Sequence, residues 1–396
     1  MRVLQFAPRV CWPLDTGAKL RNYHLARVLA HRARVSLLSF IDHEQSLVHL
    51  DDVYEQVITV PRDSAYTFAK VVRGVLGQTP LPVLNYTTNS MKRALQGLLR
   101  EKDFDVIQIE SIHLISYLPI IRAACRARVV CDWHNIESEL MRRYSEREPS
   151  HLRRAYASRT ARLMSELEKR ALREFDAHVV VSQRDEQRLL DLNSDARIFV
   201  IENGVDTDFY SDLEARDESL RHRIVFVGSM DYHANIDGAV NFAREVWSHL
   251  RERRPDLVFT IVGKDPAPEV RELAQLPGIE VTGTVDDVRP FYREAIAAVV
   301  PLNVGGGSRL KILEAMAAGV PVVSTTLGAE GLEVEPDQNI LIADTNEQLG
   351  EAINSVVENQ ARRNRLTAAG LRLVSGRYDW SRLGASLFSA YEKLVA

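Results

Sequence analysis

The chain has 396 residues, of which 45% are hydrophobic and 26% charged; this is ordinary globular composition, and the length suits two or three domains of about 150 residues. A formal net charge of −4 argues against nucleic acid as a partner, and three cysteines without zinc-ligand spacing (Cys11, Cys125, Cys131) favour a reduced, cytoplasmic setting. Residues 1–7, interrupted by Arg2 and Gln5, are too short and too polar for a signal peptide, and no stretch approaches the roughly 20 apolar residues of a membrane span.

Residues 3–7 read as a first buried strand, followed by a loop to Gly17 and a helix over about 19–31 with Leu20, Leu25, Val28 and Leu29 inside. Apolar runs at 35–40, 56–60, 105–109, 128–131, 178–181 and 197–201 continue the series, with helical patterns between most of them. Such alternation predicts a parallel, doubly wound sheet. The stretch Glu202-Asn203-Gly204-Val205-Asp206 breaks the rhythm, and an acidic, non-periodic segment follows to about Leu220. A second set of strands is expected at 224–227, 258–262, 279–281, 297–302, 320–324 and 340–342. The expected domains are therefore 1–204, 205–376 and a final helix within 377–396 that could pack on either. Open parallel sheets bind ligands beyond the carboxyl ends of their strands, so the two domains predict a cleft lined from both sides.

The most informative stretch runs from Gly305 to Ser324. An apolar run leads into Gly305-Gly306-Gly307-Ser308; a helical pattern follows, Gly319 stops it and Pro321 opens the next apolar run. Glycines let backbone N–H groups approach a ligand, and a helix start adds partial positive charge. Arg309 and Lys311 fall at that start, where a cation is disfavoured by about 0.3–1 kcal/mol unless an anion joins it. Glu314, three residues after Lys311, projects from the same side. Diphosphate held by loop and cations, with a hydroxylated group held by the carboxylate, is the ligand this pattern suits; a glycine-rich turn beside a solvated Arg/Lys/Glu face is the plainer alternative.

This stretch resembles the donor site of retaining glycosyltransferases of family 4, and is similar to exopolysaccharide-associated sugar transferases in its run from Gly305 through Glu330-Gly331-Leu332. Other stretches agree in order: Asp15-Thr16-Gly17 before a helix, Cys131-Asp132-Trp133-His134-Asn135 at a strand end, Asn203-Gly204-Val205-Asp206 as a linker, Phe226-Val227-Gly228-Ser229, and Tyr378-Asp379-Trp380. The resemblance implies an α/β GT-B fold of two doubly wound Rossmann-like domains with an interdomain cleft, and a hexosyltransferase moving sugar with retention from a UDP- or GDP-sugar to a glycan or lipid-linked acceptor. It implies a donor site of Gly17, Gly228, Ser229, Gly305, Gly306, Gly307, Ser308, Arg309, Lys311 and Glu314, with Glu314 on the ribose hydroxyls. His134 would lie by the donor sugar, making His134, Glu314, Arg309 and Lys311 the expected catalytic set. Asn135 and Glu137 are the expected acceptor contacts; no metal and no cofactor beyond the nucleotide sugar is implied.

Two positions depart from the family pattern. Gly306 stands where many members carry a glutamate, and Ser229 with Ala234 or Asn235 stand where many carry Arg and Lys. Arg309 and Lys311 are the candidates to replace that charge on the diphosphate. Asp103-Phe104-Asp105 matches a metal-binding DxD only as a strand-start pair of acids, and Asp286-Asp287 reads as a helix cap. Residues 141–173 hold ten Arg/Lys against four acids, with Leu152, Tyr156, Leu163, Leu167 and Leu172 at roughly helical intervals. They read either as a basic amphipathic helix meeting anionic lipid at the inner face of the plasma membrane, or as a solvated helix packed on the first domain. A nucleotide-sugar 2-epimerase and an inactive carbohydrate-binding subunit are the competing functions.

Overall fold

The computed structural model describes residues 1–42, 47–62, 70, 72–74, 77–213, 222–304 and 309–396, apart from the side chains of Val48 and Arg147. The chain divides into two units, Met1–Glu202 with Trp380–Ala396, and Asn203–Asp379.

Unit one is built on strands β1 (Arg2–Ala7), β2 (Arg34–Ile41), β3 (Gln56–Pro61), β4 (Val106–Ile109), β5 (Arg128–Trp133), β6 (Ala177–Val180) and β7 (Ile198–Val200). All pairs are parallel, in the order β3-β2-β1-β4-β5-β6-β7. The strands are apolar nearly throughout because both faces are covered, and alternate residues enter separate cores. Leu4, Phe6, Ile107, Ile109 and Val129 point to one face; Val3, Ala7, Val35, Val106 and Val130 point to the other. Helix α1 (Gly17–Ala30), capped by Thr16 Oγ1 accepting from Lys19 N at 3.4 Å, covers the second face.

The basic segment is two helices, α2 (Glu137–Arg147) and α3 (His151–Glu174), packed on each other. Pro149 separates them, since it can neither donate to the preceding turn nor leave Glu148 helical. The one helix expected is therefore two; of the expected apolar stripe, all on α3, Leu172 is buried and Tyr156, Leu163 and Leu167 are half-buried beside Ala157, Thr160, Met164, Glu168 and Ala171, whereas Leu152 is 85% exposed. Several cations are paired within the hairpin, Arg142 with Glu146, Arg143 with Glu139, Lys169 with Glu166 and Arg170 with Glu174.

Unit two carries β8 (Arg223–Val227), β9 (Val258–Val262), β10 (Ile279–Val281), β11 (Ala295–Val300), β12 (Val322–Ser324) and β13 (Leu341–Ile342), again all parallel, in the order β10-β9-β8-β11-β12-β13. Helix α4 (His233–Asn241) follows β8, and α5 (Leu310–Ala317) follows β11. Gly319, at φ +63°, ends α5: its N–H donates to Met316 O (3.0 Å) and that of Val320 to Ala315 O (2.8 Å), a Schellman close that a side chain at 319 would strain. In each sheet the winding reverses beside the unit's first strand, between β1 and β4 and between β8 and β11. Those two points are where side chains of different strand ends can converge on a ligand.

The last helix, α6 (Trp380–Val395), belongs to unit one, where it lies along α1. Its Trp380 ring stacks on His24 with centroids 5.5 Å apart, and Leu387, Tyr391 and Leu394 enter the α1-side core. Gly384 permits the approach, because a Cβ there would stand 2.5 Å from Val28 Cβ. Gly384→Val should therefore lower unfolding free energy by about 1–3 kcal/mol through overpacking, and Val28→Ala in the same chain should restore part of it, as read from denaturant midpoints.

Candidate functional site

At the β8/β11 reversal in unit two, Gly228 and Ser229 leave β8 and α5 enters from beyond β11. Every residue of α5 is buried except Lys311 and Glu314, one turn apart on a single side. Lys311 Nζ donates to Asn235 Oδ1 at 2.5 Å, and Asn235 Nδ2 donates to Ser229 O at 2.8 Å. The same ammonium stands 5.0 Å from the centre of the Phe226 ring. A Cβ at Gly228 would come within 3.2 Å of Nζ and 2.9 Å of Asn235 Nδ2, so glycine there leaves the lysine its place. Burial, and then the neighbouring Arg309 charge, lower the Lys311 pKa to about 7 against the pull of Glu314. Burial raises Glu314 to about 7, with Lys311 opposing. Both charges are thus poised to respond to an incoming anion or hydroxyl.

Arg309 is not in the first turn but immediately precedes the helix, and it is turned towards Glu330: Nε donates to Glu330 O at 3.2 Å and the guanidinium lies 3.5 Å from the carboxylate. The two cations expected to act together therefore have different surroundings. Gly305, Gly306, Gly307 and Ser308 lie outside the described residues. Asp287 accepts from Arg289 N and pairs with its guanidinium, as a capping acid would; Asp105 accepts from Arg2 N at 2.7 Å.

At the β1/β4 reversal in unit one there is a pocket of about 220 Å³, lined from three strand ends. Thr16 and Lys19 come from the β1 side, Glu110 and His113 from the β4 side, and His134, Asn135 and Glu137 from the β5 side. Gly17 is the first residue of α1, between the pocket-lining Thr16 and Ala18. The expected His134, Asn135 and Glu137 are thus brought to one pocket. Glu137 owes its position to α3: the uncapped start of α2 is satisfied by Glu168, which accepts from Ser138 N at 2.8 Å and from Ser138 Oγ. Burial, then Glu168, raise Glu137 to about 7, while burial, then His134, lower His113 to about 4. His113 stands 3.8 Å from Glu137 and stacks on Tyr86.

Sequence reasoning missed the charge behind this pocket. His134 Nε2 is 3.0 Å from the buried Glu110 carboxylate, and Asp132 is paired with the buried Arg21 at 3.1 Å. A signal was present: Gln5, Gln108 and Asp132 interrupt three largely apolar strands, at positions facing α1, and Glu110 directly follows the end of β4. The ligating atoms of Glu110, Asp132 and His134 lie within 4.8 Å of one another, the spacing of a metal site. Arg21 and two glutamine amides already donate to these carboxylates, so the donor set does not fit an ion.

Comparison with known proteins agrees with this geometry. Residues 16–209 match the family described as Glycosyltransferase Family 4 and residues 221–359 that described as Glycosyl transferases group 1. A phosphatidyl-myo-inositol mannosyltransferase of Mycobacterium leprae is 30% identical over 52% of this chain and 55% of its own, and a glycogen synthase of Mycobacterium tuberculosis 24% identical over 50% and 48%. The chain thus spans about half the length of the curated relatives it matches. Among solved structures, sucrose-phosphate synthase of Thermosynechococcus elongatus superposes with TM-score 0.69 at 16% identity (100% and 99% covered), and Anabaena HepE in complex with UDP and glucose with 0.67 at 16% (98% and 99%). Two parallel Rossmann-like sheets and two family matches placed end to end make this chain a member of the family-4-like glycosyltransferases with the GT-B fold.

Proposed function

We propose that the protein transfers a hexose, with retention, from a UDP- or GDP-sugar to a glycan or lipid-linked acceptor of an envelope or exopolysaccharide, without a metal. The observation that carries the reading is Lys311, held beside Gly228 by Asn235 at the strand reversal of unit two. A departing diphosphate is the product whose negative charge needs stabilising, and a cation preorganised in a largely water-free site does this most effectively. Lys311 supplies that charge, Arg309 adds to it from its place beside Glu330, and Glu314 takes ribose hydroxyls. Gly228 and Ser229 offer backbone to the phosphates, and Gly17 opens α1 beside the pocket of unit one. His134, Asn135 and Glu137 shape the acceptor pocket. HepE, in the structure described above, holds UDP, which favours the same donor class here.

The lowered Lys311 pKa makes the donor site testable without an acceptor. The diphosphate of an intact nucleotide sugar does not titrate near neutrality, so protons taken up from the buffer on binding go onto protein groups. Calorimetry of UDP-glucose and GDP-mannose, in buffers of different ionisation enthalpy, should show one of them binding with roughly one proton taken up at pH 8, where Lys311 gains one, and with net release at pH 6, where Glu314 loses one. Affinity should weaken by up to about tenfold per pH unit above 7, and Lys311→Met should abolish both this weakening and the uptake at pH 8. Binding of neither sugar would reject the donor reading; hydrolysis-free conversion of the nucleotide sugar alone would favour the epimerase.

A lipid-linked acceptor would place unit one near a membrane, and the feature that favours this is Leu152, 85% exposed between His151 and Arg153-Arg154. The protein should float with phosphatidylglycerol liposomes at low salt and Leu152→Asp should not; failure of the wild type to float would leave the hairpin a packed, solvated element.

A further inference from the structure

Behind the unit-one pocket the hydrogen bonds fix where protons sit. Tyr54 OH donates to Gln5 Oε1 (2.5 Å) and Tyr391 OH donates to Gln108 Oε1. Both glutamine amides therefore turn their nitrogens inward: Gln5 Nε2 reaches Glu110 Oε1 at 2.6 Å and Gln108 Nε2 reaches it at 2.7 Å. The other oxygen, Oε2, faces His134 Nε2 at 3.0 Å and, with the Asn22 amide oriented to satisfy both its atoms, Asn22 nitrogen at 3.0 Å. Amide nitrogens can only donate, so Glu110 is surrounded by donors, which is the environment of an ionised carboxylate. Asp132 accepts from Arg21 and from Gln108.

Two neighbouring buried carboxylates thus stand against one guanidinium, that of Arg21 on Asp132, and one negative charge is left over. The other charged groups around the pocket do not cancel it. Lys19 is paired with Asp15 at 2.8 Å, Arg9 is more than half exposed, and His113 is held neutral with its pKa near 4. Glu137, beside His113, adds no positive charge in either form.

We propose that Glu110 is the positioning residue of His134: with Asp132, and against the opposing charge of Arg21, it fixes the ring and holds it as an imidazolium, so that in the pocket His134 donates hydrogen bonds rather than accepting a proton. The inference rests on His134 belonging to the reaction site, as read above. An imidazolium carries a proton on both nitrogens, so with Nε2–H given to Glu110 the ring still has Nδ1–H to offer an oxygen-bearing ligand. In a retaining transfer it would stabilise negative charge or orient a hydroxyl, leaving the acceptor's proton to the departing phosphate. The electrostatics agree: burial, and to a smaller extent the Arg21 charge, would lower the His134 pKa, but the hydrogen bond to Glu110 and the charges of Asp132 and Glu110 outweigh them and raise it.

The test needs no substrate, so it fails or succeeds independently of the donor reading. In protein labelled at histidine Cε1, the NMR signal lost in His134→Asn should titrate in the wild type with a midpoint above about 6.5, the ordinary histidine value. Glu110→Gln should lower that midpoint by about one pH unit or more, Glu110→Asp should lower it less, and the melting temperature of each variant reports folding separately. A wild-type midpoint at or below 6.5 would overturn the proposal whatever the variants do, and so would a midpoint that Glu110→Gln leaves in place.

Discussion

Charge at the carboxyl ends of buried parallel strands has to be balanced inside the fold, and this constraint organises both candidate sites. Water cannot screen Asp132 or Glu110, each essentially inaccessible, and an uncompensated carboxylate in such surroundings costs several kcal/mol. Unit one meets the cost with side chains drawn from distant stretches: Arg21 from α1, Gln5 and Gln108 from adjacent strands, and Tyr391 from the last helix. The C-terminal helix is thus more than a cover for the sheet. Its tyrosine orients Gln108, whose nitrogen then joins Glu110 to Asp132.

Unit two handles the same problem differently. Its charges are not fully compensated; burial moves Lys311 and Glu314 towards neutrality until each titrates near pH 7. A site left in that condition has little resting charge to repel or trap ligands, and gains charge when a complementary group arrives. Unit one holds a fixed, paired charge behind its pocket, whereas the charge of unit two depends on what occupies it.

Most of this fold could be read in the sequence because parallel strands buried on both faces are near-continuous apolar runs, and thirteen strands fall within a few residues of where such runs occur. The 297–302 run ends as a strand at Val300 because Pro301 has no N–H to continue the ladder. Lys311 and Glu314 stood out as candidates because they follow the Gly305-Gly306-Gly307 run, and His134 because it follows the end of an apolar strand. Glu110 and Arg21 did not: Glu110 bonds His134 24 positions away and Gln5 105 away, Arg21 bonds Asp132 111 away, and periodicity alone does not reveal such pairings. The apolar stripe of 141–173 was legible because helical spacing is local within α3, where Leu172 is buried and Tyr156, Leu163 and Leu167 are half-buried; of the stripe only Leu152, in the first turn of that helix, stands outside.

The absence of a cation after Gly228 also becomes intelligible. Asn235 occupies that neighbourhood and accepts from Lys311 while donating to Ser229 O. An arginine or lysine at 235 would oppose Lys311 at hydrogen-bond distance in a buried setting, where two like charges could not both persist. A neutral amide there and a cation on α5 are therefore complementary choices: the positive charge reaches Gly228 from the helix after β11 instead of from the helix after β8, and Gly228 keeps the space open by lacking a Cβ. Under the function proposed above, the departure from the family pattern reads as a relocation of the charge, with the Asn235 amide holding Lys311 in position.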